Sequence, residues 1–328
     1  MKKQEHAQAQ VDSTVSLPEP LDLPDANLVI RSSDLVKFHV HKSILAMVSP
    51  FFKDLLSLPQ PSDGEVIEGL PVVQLSEDAE LLNSLISMLY PVRPVIPKSY
   101  EKVLSLLAAC QKYDMDQVQS SIRAEVDRGA FPAPVGIEVF SAYAIARAKG
   151  LVPEMEKAAR LSLDYPMTFT TLGDGLRLFE GWALRDLAHF RKRCRDTLVT
   201  CLAPYLGVLG PSQIWVGCHS DVPSRSYRVQ RGDFPSWLRQ VLLQNDNLKL
   251  FTHPLTTPSN IRKEYLTAIQ NHGGCNLCFE VHTKKGSTFC TELESKMALA
   301  LDTVRGPLGP LLDNEVYEGA PPVLVGKR

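Results

Sequence analysis

The chain lacks a surplus of charge of either sign: 35 Lys and Arg against 37 Asp and Glu leave a formal net charge of −2. A near-neutral chain has no global attraction to nucleic-acid phosphates or to an anionic bilayer, so neither direct nucleic-acid binding nor membrane binding is expected. It also lacks any apolar run approaching the ~18 residues of a membrane span. Residues 1–16 are polar and have no apolar centre of the kind a signal peptide needs. We therefore expect an intracellular protein, cytoplasmic or nuclear. Its seven cysteines, an odd number, then read as thiols or metal ligands and not as a disulfide framework. Phosphate-cradling and metalloprotease signatures are missing: no Gly-x-x-x-x-Gly-Lys-Ser/Thr, no Gly-x-Gly-x-x-Gly, no His-Glu-x-x-His. The absence of an internal repeat argues against a propeller or solenoid.

What is present divides by pattern. Residues 1–22, Gln/Ala-rich and then Pro-rich, read as a disordered tail. Residues 23–129 mix short strands and helices. Leu28-Val29-Ile30 is a β-branched apolar run, Ser32-Ser33-Asp34 its turn, and residues 36–40 alternate as a hairpin partner. Two helices are expected over 42–47 and 50–57, the first of them buried. A polar loop follows over 59–68, then a third strand over 72–75. Ser76 is expected to cap a helix carrying Leu82, Leu85, Ile86 and Leu89, which Pro91 stops. Ser99 caps the next, with Val103, Leu104, Leu107 and Ala108 as its buried stripe. Val118 and Ile122 mark a final helix ending near Gly129.

Past Phe131-Pro132-Ala133-Pro134 the strand pattern vanishes. Residues 132–204 read as a helical region, with helices over 136–149, 153–163 and 174–203, the last capped by Asp174. Residues 205–303 read as a Cys/His-containing region of short helical segments, and 304–328 as a tail. The expected class is α+β: a small sheet flanked by helices, then a mainly α-helical region.

The most specific stretch is Phe38-His39-Val40-His41-Lys42-Ser43-Ile44-Leu45-Ala46, closed by Ser49-Pro50-Phe51-Phe52. A short strand turns into a helix with a His-Lys pair at the corner. This resembles the signature of the BTB/POZ domain, a protein-interaction module and not an enzyme. The stretches running from Asp34 through Pro59, Gly69-Leu70-Pro71-Val72-Val73, Leu89-Tyr90-Pro91 and Ala109-Cys110-Gln111-Lys112-Tyr113-Asp114-Met115 are similar to the fungal type of that domain. The resemblance implies a BTB fold over about residues 25–128. Its signature positions here are Phe38, His41, Lys42, Leu45, Ser49, Phe51 and Phe52. It implies other proteins as partners: a second copy in a homodimer, or a cullin scaffold. The leading reading is thus a non-enzymatic protein for self-association or partner recruitment. The alternatives are a substrate adaptor of a cullin ubiquitin ligase and a transcriptional co-regulator.

The chain departs from the family pattern in places. Residues 1–24 are polar and broken by Pro18, Pro20 and Pro24, which disfavours a dimer made by exchanging an N-terminal strand, though not pairing through the first helices. Transcription-factor members set an acid opposite the basic corner residue. Lys42 supplies the base, but Asn27 stands where the acid aligns, with Asp25 two residues earlier. Cullin-binding members often carry apolar-x-Glu after the second helix, where this chain reads Leu58-Pro59-Gln60.

A second cluster lies in Cys218-His219-Ser220-Asp221 and His272-Gly273-Gly274-Cys275-Asn276-Leu277-Cys278. A Cys-x-x-Cys turn presents two thiolates to one tetrahedral ion. Cys275 and Cys278 with Cys218 make three ligands of a structural zinc site. The fourth is His219, Asp221, His272, His282 or Cys290. The competing account is reduced thiols packed as small apolar groups. His39 and His41 read as structural. Arg191-Lys192-Arg193-Cys194-Arg195 reads as a solvated helix surface, Trp215 and Trp237 as core. Cys110 reads as core, and Cys194 and Cys201 as one apolar helix face.

Overall fold

A computed structural model describes residues 25–58, 65–204, 257–271, 276–304 and 306–307. The chain forms two compact units, Met1–Ala133 and Pro134–Arg328.

The first unit is α+β. Strand β1 (Leu28–Arg31) is buried along Leu28, Val29 and Ile30, as a strand covered on both faces must be. It pairs antiparallel with β2 (Lys37–Val40), Ile30 opposite Phe38. The turn between them is tied by Ser32, whose hydroxyl accepts from the Val36 N–H at 2.9 Å. After α1 (Lys42–Val48) and α2 (Pro50–Ser57) the chain returns through β3 (Val66–Ile67) and β4 (Leu70–Gln74). β4 lies parallel to β1, with Ile30 opposite Val73, giving the sheet order β2-β1-β4-β3. The expected loop therefore ends early. Glu68 and Gly69 both take positive φ (53° and 79°) and close a two-residue hairpin between β3 and β4.

Helix α3 (Ala79–Ser87) starts later than expected. Asp78, not Ser76, caps it, accepting from the Leu81 N–H at 2.8 Å. Ser76 instead takes a hydrogen bond from Lys112 Nζ at 2.6 Å. The helix ends at Ser87, short of Pro91. Helix α4 (Tyr100–Lys112) begins at Ser99 as expected and runs through the core. It buries Val103, Leu104, Leu106, Leu107, Ala109 and Cys110, while Ala108 is only half-buried. Helix α5 (Asp116–Asp127) completes the unit. Its chain reverses at Gly129, whose φ of 76° suits a residue without Cβ.

The second unit is helical, with no strand among its described residues. Helices α6 (Glu138–Ala148) and α7 (Val152–Leu161) pack as a pair, followed by a 3₁₀ turn over Ser162–Asp164. The short α8 (Phe169–Leu172) and a 3₁₀ segment (Gly173–Leu178) occupy the place where a long helix was expected to begin at Asp174. That helix, α9 (Gly181–Leu202), starts seven residues later at Glu180-Gly181 and ends before Pro204. Asp186 on α9 meets Arg147 on α6 at 2.7 Å, both side chains buried, and the Arg147 guanidinium lies 4.1 Å from the centre of the Trp182 ring.

The basic run on α9 is not a solvated surface throughout. Arg191 is fully buried and Arg195 nearly so. Arg191 donates to the main-chain carbonyls of Ser162 and, at 2.9 Å, of Tyr165, satisfying the open end of the 3₁₀ turn. The region expected to hold short helical segments contains two substantial helices, α10 (Ile261–Asn271) and the 27-residue α11 (Asn276–Asp302). They pack on each other, and α11 packs on α9. Arg160 donates to the carbonyls of Leu301 and Val304, and Arg193 to that of Gly306 at 2.9 Å, so arginines close the end of α11. Trp215 and Trp237 lie outside the described residues.

Candidate interaction site in the first unit

The corner between β2 and α1 is built by alternation. Phe38 and Val40 point inward from β2 and are fully buried. The chain then turns at His41, which occupies the N-cap position of α1 without a side-chain cap bond. Asn27 does that work: its Oδ1 accepts from the Lys42 N–H at 2.9 Å. The same Asn27 donates its own N–H to the Val40 carbonyl at 3.2 Å, so one residue fixes both the strand end and the helix start.

His41 faces two partners. The Tyr90 hydroxyl accepts from the His41 main-chain N–H at 3.0 Å and lies 3.1 Å from Nδ1. Nε2 lies 3.2 Å from the Asp25 carboxylate. Nδ1 and Nε2 of His41 thus face a hydroxyl and a carboxylate, one on each side of the ring. Burial pushes the Tyr90 phenol above its usual range, and the Asp25 charge adds to that against the opposing His41 N–H. Asp25 thus pairs with His41 and not with the corner lysine. His39 lies 3.3 Å from the Glu68 carboxylate, so the two histidines have separate partners.

Helix α1 hands over to α2 through one buried serine. The Ser49 N–H closes α1 on the Leu45 carbonyl, its Oγ accepts from the Phe52 N–H at 3.0 Å, and its O–H donates to the Tyr113 carbonyl at 2.5 Å. Pro50, at the first helical position, has no N–H to leave unpaired. The Phe52 ring is buried 5.2 Å from the Tyr113 ring, and Phe51 contacts the same tyrosine at 5.4 Å while remaining partly in water. The Tyr113 hydroxyl donates to Glu77. Burial alone would raise the Glu77 carboxyl, but hydrogen bonds from Lys112 and Tyr113 and the Lys112 charge hold it below the usual carboxylate range.

The signature residues accordingly divide. Phe38, Leu45, Ser49 and Phe52 build the core; His41 and Lys42 are half-buried at the corner; Phe51 reaches the surface. The expectation of a buried α1 is overturned: only Leu45 is buried along it, and Met47 is 78% exposed. Leu58, just past α2, is 60% exposed. Met47, the Tyr90 contact with His41 and the Glu77–Tyr113 bond were not singled out from sequence. Tyr90 and Tyr113 stood in quoted motifs, but nothing local in them tells which distant group each reaches.

A recess of about 460 Å³ opens beside α5, lined by apolar groups such as Met88, Ile96, Ile122 and Phe131 with Arg93 and Glu125. Its one hydroxyl, Ser121 Oγ, donates to the Gln117 carbonyl at 3.0 Å, and its lining has no histidine, cysteine or aspartate to serve as base or nucleophile.

Of the zinc candidates, Cys218, His219 and Cys275 lie outside the described residues, as do Asp221 and His272. Cys278 falls in the first turn of α11, and its side chain and that of His282 are likewise outside the description. Cys290 is fully buried twelve residues further along the same helix. A rise of 1.5 Å per residue separates the two cysteines by about 18 Å along the axis, too far for one ion. Burial pushes the thiols of Cys110, Cys194 and Cys290 up to about 12, as suits packed, protonated sulfur. Among the described residues no group of three His, Cys, Asp or Glu is placed to hold a metal ion, and no helix is long and apolar enough to cross a membrane.

No curated protein matches this chain. A family model does match its first unit, over the sheet, the α1–α2 corner and the helices through α5, and on that match residues 17–128 are a BTB/POZ domain.

Proposed function

We propose that this chain is a non-enzymatic interaction protein of the fungal BTB type, which pairs with a second copy of itself through the face formed by α1 and α2. The supporting observation is apolar surface left in water there: Met47 at 78%, Phe51 at 37% and Leu58 at 60% exposure. Phe51 and Leu55 stand at i and i+4 on α2, and Leu58, at its C-cap, continues their row. Large apolar side chains gathered on one face of an interaction domain mark where a partner removes them from water. Pairing through helices also needs no exchanged strand, which the proline-broken residues 17–24 disfavour. Light scattering of the full-length protein over a concentration series tests this. The expected mass is that of a dimer, falling to a monomer in Met47→Glu with far-UV circular dichroism unchanged. A monomer mass for the unaltered chain at every concentration sinks the proposal.

A second reading, the cullin adaptor, rests on the exposure of Leu58, which holds the apolar position of an apolar-x-Glu motif while Gln60 replaces the acid. Calorimetric titration with the N-terminal domain of a cullin scaffold tests it: micromolar or tighter binding supports an adaptor, and no heat of binding removes it.

A further inference from the structure

Arg262 on α10 grips one stripe of α11. Its Nε and Nη2 each donate to a Glu294 carboxylate oxygen at 3.0 Å, Nη2 donates to Thr291 Oγ1 at 2.9 Å, and Nη1 donates to Ser287 Oγ at 3.3 Å. Ser287, Thr291 and Glu294 stand at i, i+4 and i+7, on one face of the helix. The clasp is open to solvent, with Arg262 44% and Glu294 26% exposed. One arm of the guanidinium holds an anion. The other makes the longest of these bonds, to a neutral hydroxyl, where a planar two-armed cation is suited to a second anion.

The residues before that hydroxyl are Lys284-Lys285-Gly286. Cations two and three positions ahead of a serine form the charge pattern selected by protein kinases with acidic substrate grooves. Such a kinase takes its substrate extended, and α11 is weakest here. Gly286 costs the helix interior about 1 kcal/mol relative to alanine, and Thr283 and Thr288 are β-branched. Local opening of this stretch offers Ser287 without unfolding the unit.

We propose that Ser287 is a phosphorylation site whose phosphate is received by Arg262. In the reaction Ser287 Oγ forms a bond to the γ-phosphorus of ATP, the bond from that phosphorus to the β-bridging oxygen breaks, the hydroxyl proton passes to the kinase's base, and ADP leaves. The product carries a charge of about −1.5 to −2 at neutral pH. Once the helix closes again, Nη1 exchanges its bond to a hydroxyl for one to phosphate oxygen. Glu294 and the phosphate then face each other across one guanidinium, and the cation between them offsets their repulsion. Arg262 then bridges two anions on α11 and ties α10 down more firmly.

The test uses the full-length chain, incubated with a kinase of basic-site preference and magnesium-ATP, then mapped by peptide mass spectrometry and melted. The expected result is phosphate on Ser287, absent in Ser287→Ala, with a rise in Tm of about 2–4 °C in the unaltered chain. Arg262→Ala is still phosphorylated but loses that rise, and Arg262→Lys, which keeps a cation without the two-armed fork, keeps only part of it. Phosphate on Thr288 with Ser287 unmodified, or an intact chain that the kinase leaves untouched, overturns the site. An equal change in Tm with and without Arg262 overturns the assigned receiver.

Discussion

The Lys42 N–H donates to Asn27 Oδ1 at 2.9 Å, so a neutral amide begins the first helix of this BTB domain. The bond explains why the position tolerates the loss of charge: what α1 needs there is an acceptor for an orphan N–H, and an amide oxygen is one. Asn27→Ala removes the acceptor and is expected to lower the unfolding free energy by about 1 kcal/mol. Asn27→Asp keeps the acceptor, adds charge assistance and is expected to hold or slightly raise stability. Equilibrium urea unfolding of the full chain at neutral pH checks both.

The Glu77–Tyr113 bond predicts how the domain responds to acid. Glu77 is held below its ordinary value of 4.5 when folded, so the folded state binds a proton less readily than the unfolded chain. Its contribution is therefore fully present above pH 4.5 and is lost as pH falls through the lower folded value. Tyr113→Phe keeps the ring against Phe51 and Phe52 but deletes the donor, and is expected to cost about 1.5 kcal/mol at pH 7. The variant's deficit should shrink on acidification below pH 4.5. Urea melts of both proteins at pH 7 and at stepwise lower pH supply the comparison, and a deficit independent of pH would assign the loss to packing alone.

Arg191 predicts a larger cost in the second unit. Burial presses its guanidinium down to about 10, and its partners are main-chain carbonyls at the end of a 3₁₀ turn. Arg191→Met fills similar space but leaves the carbonyls of Ser162 and Tyr165 without that donor. The Ser162 carbonyl still accepts from the Tyr165 N–H at 3.2 Å, so the expected loss is that of one unsatisfied group, about 1–3 kcal/mol. Arg193→Ala, which gives up a bond to the Gly306 carbonyl, is expected to cost about 1 kcal/mol in the same urea titration.

How far the fold could be read follows from where each signal resides. Leu28-Val29-Ile30 and the alternation through Phe38 and Val40 are local patterns, and they yield β1 and β2. Ser99 caps α4 with its own side chain, so that helix start is legible as well. β3 is not legible because its turn is Glu68-Gly69, and glutamate is not a residue that advertises positive φ, whereas Pro61, Asp63 and Gly64 upstream do look like a turn. The burial of Arg191 depends on carbonyls 26 and 29 residues away in another element, which a charge run cannot reveal. At the candidate site, Phe38, Leu45, Ser49 and Phe52 were legible because bulk and capping chemistry are local. The exposure of Met47 was not, because seven residues of α1 are too few for periodicity to choose a face.

The proposed zinc site yields the last prediction, and α11 supplies its internal control. Cys275 and Cys278 make a Cys-x-x-Cys pair in the sequence, and in the proposed site Cys218 would be the third ligand and a histidine or aspartate the fourth. Cys290 sits on the same continuous helix about 18 Å further along and is packed as a protonated thiol. A zinc-binding chain purified without chelator should therefore carry about one zinc, lose it in Cys278→Ala and in Cys218→Ala, and keep it in Cys290→Ala. Removing the ion should lower the melting temperature of the full chain, because metal-binding free energy at such a site is folding free energy. Elemental analysis of the purified variants decides it. No zinc in the unaltered protein returns these cysteines to the role of small apolar groups, and zinc lost only in Cys290→Ala would place the ion where the helix geometry forbids these ligands to meet.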